Sequence, residues 1–201
     1  MNQKEAWILC LMVSGAIAST GYCPAAAPAP TDKASSEVSN SVVKVFATVL
    51  RPDPARPWTK QAPAEVTGSG AIIEGERILT NAHVVLYASQ VEIQANRAGD
   101  KLLAAVIAIA AGIDLALLKV EDPTFFTEHR PLLRAHSLPR ITDAVYAYGF
   151  PTGGNSLAIT KGIVSRIEFV DYGIVAAGLR IQIDAALNPG NSGGPVVADD
   201  K

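Results

Sequence analysis

Cysteine is scarce in this sequence: among 201 residues only Cys10 and Cys23 carry a thiol. Cys10 lies inside a segment with the layout of a secretory leader, in which Lys4 precedes an apolar run at 7–18 with small residues at Ala16 and Ala18. Cleavage after Ala18 removes residues 1–18 and leaves Cys23 alone, so no intramolecular disulfide can form even in an oxidising compartment. The fold must then hold by its core. The apolar run is twelve residues long and contains Ser14 and Gly15, short of the ~20 residues that span a bilayer. It reads as a leader, placing the chain in the periplasm or outside the cell. A lipid on Cys23, giving a membrane-tethered chain, is the lesser alternative, because Tyr22 is bulky where such processing sites take small residues.

Aromatic residues are also few, at 6%, while the apolar content of 49% is carried mostly by Val, Ile, Leu and Ala. That balance suits many short strands. Dense charge of one sign is missing: 17 basic and 19 acidic residues give a net charge of -2, and no Lys/Arg run could grip a phosphate backbone. No nucleic acid partner is expected. Three histidines without paired spacing and one mature cysteine make no metal site, and no cofactor is expected.

What is present is a series of short apolar runs behind a Pro/Ala/Ser-rich stretch at 19–40, which reads as a flexible tether. The folded part, 41–201, opens with six candidate strands at 42–50, 70–73, 77–80, 91–95, 102–109 and 115–120, enough for one barrel over 41–121. The Ala-rich run at 102–111 has no clear period and fits a helix as well; it is read as a strand. Residues 51–66, rich in proline and carrying Trp58, read as a long surface loop. A connector at 122–142 contains Pro123, Pro131 and Pro139, which break any long helix or central strand. Residues 143–201 offer five strands, at 144–150, 157–164, 165–170, 179–183 and 195–198. The fold class is all-β, two barrels with the second incomplete.

The densest chemical signal is Asn188-Pro189-Gly190-Asn191-Ser192-Gly193-Gly194-Pro195, a small hydroxyl among glycines that permit a tight turn and close approach of another backbone. Such a turn can aim the N–H groups of Gly190 and Ser192 at one point, an oxyanion hole for a tetrahedral intermediate. A serine nucleophile needs a base. His83, at the end of an apolar run, is the best placed histidine, whereas His129 and His136 lie in the broken connector and read as solvated surface. Asp114 opens the apolar run 115–120, where it risks burial and needs a partner. It would fix the imidazole tautomer, and its plain alternative is a turn-forming Asp after Gly112. Chain order excludes two other arrangements. No histidine follows Ser192, as an α/β-hydrolase nucleophile elbow would need, and Asp32 and Asp53, the aspartates before His83, sit in loop-like surroundings unlike a subtilisin order.

The blocks T-N-A-H-V-V, G-I-D-L-A-L-L-K-V and I-D-A-A-L-N-P-G-N-S-G-G-P resemble the trypsin-like Deg/HtrA serine proteases over about residues 41 to 201. The stretches A-Y-G-F-P and T-K-G-I-V-S are similar to that family's second barrel. The resemblance implies a double six-stranded β-barrel, with His83, Asp114 and Ser192 as catalytic residues meeting at the cleft between barrels. It also implies an apolar specificity pocket lined by Leu187, cleavage after small or medium aliphatic side chains, unfolded or damaged exported polypeptides as substrates, and a possible homotrimer. Asn191 stands where digestive relatives carry an Asp that pairs with a freshly cut N-terminus, so activation by that salt bridge is not expected. Relatives continue past the serine block with further strands and commonly PDZ domains, whereas this sequence reaches Lys201 nine residues after Ser192. The second barrel is therefore expected to be one strand short, and a chaperone-like module that binds apolar segments with little cleavage is the competing reading.

Overall fold

The computed structural model describes residues 32–96, 99–171 and 177–198. The leader, both cysteines and the first part of the tether lie outside them. The first half is a closed barrel of β1 (Val42–Val49), β4 (Ala64–Ile73), β5 (Arg77–Thr80), β8 (Leu115–Val120), β7 (Leu102–Ala110) and β6 (Ala88–Ala95), hydrogen-bonded in that order around the ring. Closure removes every sheet edge, so a small barrel can bury one face of all its strands. Strand periodicity decides which face. On β1, Val43, Val45, Ala47 and Val49 point into the barrel core with Ile72, Ile78, Ile93 and Leu118. The other face of β1 carries Val42, which packs with Tyr146, Tyr148 and Phe150 of the second half, and Lys44, which bonds there too. One strand thus serves both halves.

The second half is a four-stranded sheet, ordered β11 (Ala177–Ile183), β10 (Ala158–Asp171), β9 (Ala144–Gly149) and β12 (Val196–Ala198). The two strands expected at 157–164 and 165–170 are one long strand, β10. It pairs with β9 through Ile163 and with β11 from Val164 onward, and the register shifts between Val164 and Arg166. The sequence break marks a change of partner within a continuous strand.

Three further expectations are corrected. The end of the tether is a helix, α1 (Asp32–Asn40), fastened where Ser41 N–H donates to Val38 O at 2.9 Å and where Val38 packs against the Val42 cluster. The loop at 51–66 holds a two-stranded ribbon, β2 (Pro52–Asp53) and β3 (Arg56–Lys60), whose turn forms because Asp53 Oδ1 accepts from Ala55 N–H at 2.9 Å. The connector contains a short helix, α3 (Thr124–Glu128), which begins just after Pro123, where proline's fixed φ suits a first turn. Its buried Phe125 completes the first barrel's core. The Ala-rich run is a strand. Among the described residues no helix is long and apolar enough to cross a membrane.

Candidate active site

The first barrel presents His83 on a single turn of helix, α2 (Ala82–Val85), directly after β5. Ala82, Val84 and Val85 are buried, which seats the turn on the barrel and leaves His83 as its exposed residue. Asp114 reaches it from the loop before β8, where a 3-10 turn at Ala111–Ile113 ends on Asp114 with φ 56°. A left-handed conformation costs a non-glycine residue about 1–2 kcal/mol, least for Asp and Asn. Four hydrogen bonds from the segment 81–83 hold it there. Asn81 Nδ2 donates to Asp114 O at 2.8 Å and Ala82 N–H to the same oxygen at 3.1 Å. His83 N–H donates to Asp114 Oδ1 at 2.8 Å, and the imidazole Nδ1 lies 2.7 Å from Asp114 Oδ2.

A carboxylate can only accept, so Nδ1 carries the proton and Nε2 is left as the basic nitrogen. Asp114 is therefore both a turn former and a partner of His83. The expectation that it risks burial is corrected: its side chain is 45% exposed and that of His83 54%. A backbone turn, not an enclosing pocket, brings the two together.

The serine turn sits on the second half and is locked onto the first. Gly190 has φ 98° and Gly193 φ 86°, and a side chain at either would run into backbone, Phe150 O and Thr152 N at Gly190 and Ser69 O at Gly193. Ser69, fully buried on β4, makes the lock: its N–H donates to Ser192 O at 2.7 Å and its hydroxyl to Gly190 O at 2.8 Å, while Oγ accepts from Phe150 N–H at 2.8 Å. Buried Thr80 donates to Ser69 O at 2.7 Å. Behind the turn, Thr152 N–H donates to Pro189 O at 2.8 Å. Asn191 N–H donates to Asn188 O and Gly194 N–H to Asn191 O, but among the described residues the N–H groups of Gly190, Ser192 and Gly193 have no protein acceptor. Three free donors surround one hydroxyl.

These residues line a cleft of about 300 Å³ whose walls include Asn81, Tyr148, Leu187, Asn191, Ser192 and Val196. Leu187 is 57% exposed there, an apolar wall open to solvent. Among the described residues no hydrogen bond joins Ser192 Oγ to the His83 ring, although Asn81, two residues before His83, shares the cleft with Ser192. Among the described residues Asn191 Oδ1, buried against Gly149, has no hydrogen-bond partner. His129 is drawn away from the cleft, with Nδ1 3.0 Å from Asn40 O and its ring 4.6 Å from that of Phe125, and His136 is exposed.

Sequence reasoning misses Ser69, Thr80, Asn81 and Thr152. The signal for Ser69 is present in the sequence, since a hydroxyl between Gly68 and Gly70, just before the apolar residues 71–73, is a candidate buried polar group that must find partners.

The chain matches the trypsin-like peptidase domain over residues 68–201. It is 44% identical over 161 residues to protease Do-like 2, chloroplastic, of Arabidopsis thaliana, covering 80% of this chain and 26% of that protein. It is 39% identical over 161 residues to the serine protease DegP homolog of Plasmodium falciparum (isolate 3D7), covering 80% of this chain and 18% of the other. The chain thus spans only a minor part of the length of these two curated relatives, 26% and 18%. Among solved structures, the HtrA-type protease AlgW with a tripeptide superposes with a TM-score of 0.66 at 28% identity, over 83% of this chain and 50% of that one. The closed barrel, the glycine-bounded serine turn and these likenesses together place the chain in the trypsin-like peptidase domain family, with similarity to Do-like, DegP and HtrA-type proteases.

Proposed function

We propose that this chain hydrolyses peptide bonds with Ser192 as nucleophile, His83 as base and Asp114 as orienting acid. The observation that carries the reading is the double engagement of Asp114 by His83, through N–H and Nδ1 at 2.8 and 2.7 Å, which leaves Nε2 free to accept a proton. Ser192 Oγ attacks the carbonyl carbon while its proton passes to Nε2, and Asp114 stabilises the imidazolium that results. The carbonyl oxygen, now negative, takes hydrogen bonds from the free N–H groups of Gly190 and Ser192. Collapse of this intermediate breaks the C–N bond, the amine leaves with the proton from Nε2, and water releases the acyl group by the same steps in reverse.

Leu187 on the cleft wall supports cleavage after small or medium aliphatic residues, a shape a ~300 Å³ apolar-sided pocket would hold. The leader-like 1–18 supports export, and with it unfolded exported polypeptides as substrates. A homotrimer is part of the same reading. The test is direct: a fluorophosphonate probe should label the chain and casein should be cleaved, and Ser192→Ala should lose both. Labelling that survives in Ser192→Ala would sink the assignment. The absent Ser192–His83 hydrogen bond favours a second reading, a binding module for apolar segments that turns over slowly. It requires aggregation suppression to persist in Ser192→Ala.

A further inference from the structure

Among the described residues Lys44 is the one buried lysine, 5% exposed on β1, and the chemistry proposed above makes no use of it. A buried ammonium needs strong acceptors close by. Among the described residues no carboxylate lies within ion-pair distance of it. Instead Nζ crosses from the first barrel to the second half, donating to Gly154 O at 2.7 Å and to Asn155 Oδ1 at 3.1 Å, and it stands 5.0 Å from the centre of the Phe46 ring. Charged donors on carbonyl oxygens make short, strong hydrogen bonds.

The turn that Lys44 holds also touches the serine turn. It runs from Phe150, whose N–H is held by Ser69 Oγ, through Thr152, whose N–H donates to Pro189 O at 2.8 Å, to Gly154 and Asn155 under Lys44. Its tip contains Gly153 at φ 88° and is closed by Gly154 N–H donating to Pro151 O at 3.2 Å. Pro189 O and Gly190 N–H belong to one trans peptide and point in opposite directions. Fixing the oxygen on Thr152 therefore aims Gly190 N–H away from that turn. Gly190 itself, having no Cβ, puts little steric resistance in the way of rotation of that peptide.

We propose that Lys44 is a positioning residue for the oxyanion hole: by clamping Gly154 and Asn155 it keeps Thr152 N–H on Pro189 O and so keeps Gly190 N–H directed at the reacting carbonyl. The proposal rests on the reading of Ser192 and Gly190 given above. It gives the first barrel control over a donor that belongs to the second half. Complete removal of one oxyanion donor typically costs about 10²- to 10³-fold in kcat, and loosening one should cost less.

The test compares the full chain with Lys44→Met, which keeps the length of the stem and removes the ammonium, and with Asn155→Ala, which removes a single exposed acceptor. On a peptide p-nitroanilide with an aliphatic residue before the cleaved bond, Lys44→Met should lower kcat by about tenfold with KM within about twofold. Fluorophosphonate labelling should slow in proportion, and Asn155→Ala should shift both the same way by about two- to threefold. Amide hydrogen exchange reads the clamp without catalysis: the Thr152 N–H should exchange about tenfold faster in Lys44→Met. Unchanged Thr152 exchange, or a rise in KM at constant kcat, would overturn the clamp. An unlabelled parent chain would overturn the reading of Ser192, while Thr152 exchange would still decide what Lys44 does.

Discussion

The two halves of the molecule hold their parts of the site by different means. In the first, six strands close into a ring and bury a continuous core from Val43 and Val45 through Ile72, Ile78, Ile93 and Leu118 to Val85 beside His83. The His83–Asp114 pair stands on this frame, held by hydrogen bonds between two turns only two residues from β5 and one from β8. In the second, four strands form an open sheet whose buried apolar cluster is Val42, Tyr146, Tyr148 and Phe150, and Val42 belongs to the first barrel. Leu179, Ile181 and Phe169 on β10 and β11 are 44%, 39% and 71% exposed. The serine turn is tied to Ser69 on β4, so the second half supplies Ser192 and the first supplies the lock. A stiff frame for His83 and a borrowed frame for Ser192 is the division the comparison exposes.

The largest effect should come from the pair on the stiff frame. Asp114→Asn keeps the size of the side chain but puts an amide where the carboxylate accepted two hydrogen bonds, so the imidazole loses the partner that fixes its tautomer. A fall of kcat by about four orders of magnitude is expected, the scale known for this change in serine triads. It should leave the fold intact, because the residue is half exposed. Steady-state assay beside circular dichroism checks this, and a loss smaller than tenfold would remove Asp114 from the mechanism.

Next in size is stability. Leu118→Ala empties a fully buried position in the closed barrel and should cost about 2–5 kcal/mol, while Leu179→Ala on the open sheet should stay within about 0.5 kcal/mol. Urea unfolding of the two variants tests the contrast. Comparable losses would mean that the open sheet carries as much of the cooperative core as the barrel does.

Legibility in the sequence divides along similar lines. The strands at 77–80 and 115–120 are read to the residue, because they are short, β-branched or leucine-rich, and bounded by turn residues that act locally. The approach of His83 to Asp114 is readable because each sits at the edge of an apolar run. What escapes is long-range. Nothing near Lys44 in the sequence announces that its ammonium will meet Gly154 and Asn155, and the partners of Ser69 lie 81 and 121 residues away. The helix at Asp32–Asn40 escapes for the same reason, since a Pro/Ala/Ser-rich stretch gains its anchor only when Val38 meets the Val42 cluster. The ribbon at 52–60 fails differently: its Asp53 turn is local but hidden among prolines.

The smallest effect sits at the junction of the halves. Asp122 precedes α3, the helix whose Phe125 belongs to the first core, and its Oδ1 accepts from the Thr124 hydroxyl at 2.7 Å and from Thr124 N–H at 2.9 Å. The hydroxyl first, and the amide second, hold the carboxyl below its ordinary value. A folded value below the unfolded one means that the contribution is fully present above the ordinary aspartate range and is lost as pH falls through the folded value. Because Asp122 is fully exposed, the effect on stability is slight. An NMR titration should place the Asp122 midpoint below that of a free aspartate, and Asp122→Asn should leave Tm at neutral pH within about 2 °C while making its fall in acid slightly shallower. A midpoint at or above the free value would show that α3 is not held by its cap. The junction would then take its order from Phe125 alone, which is to say from the closed barrel.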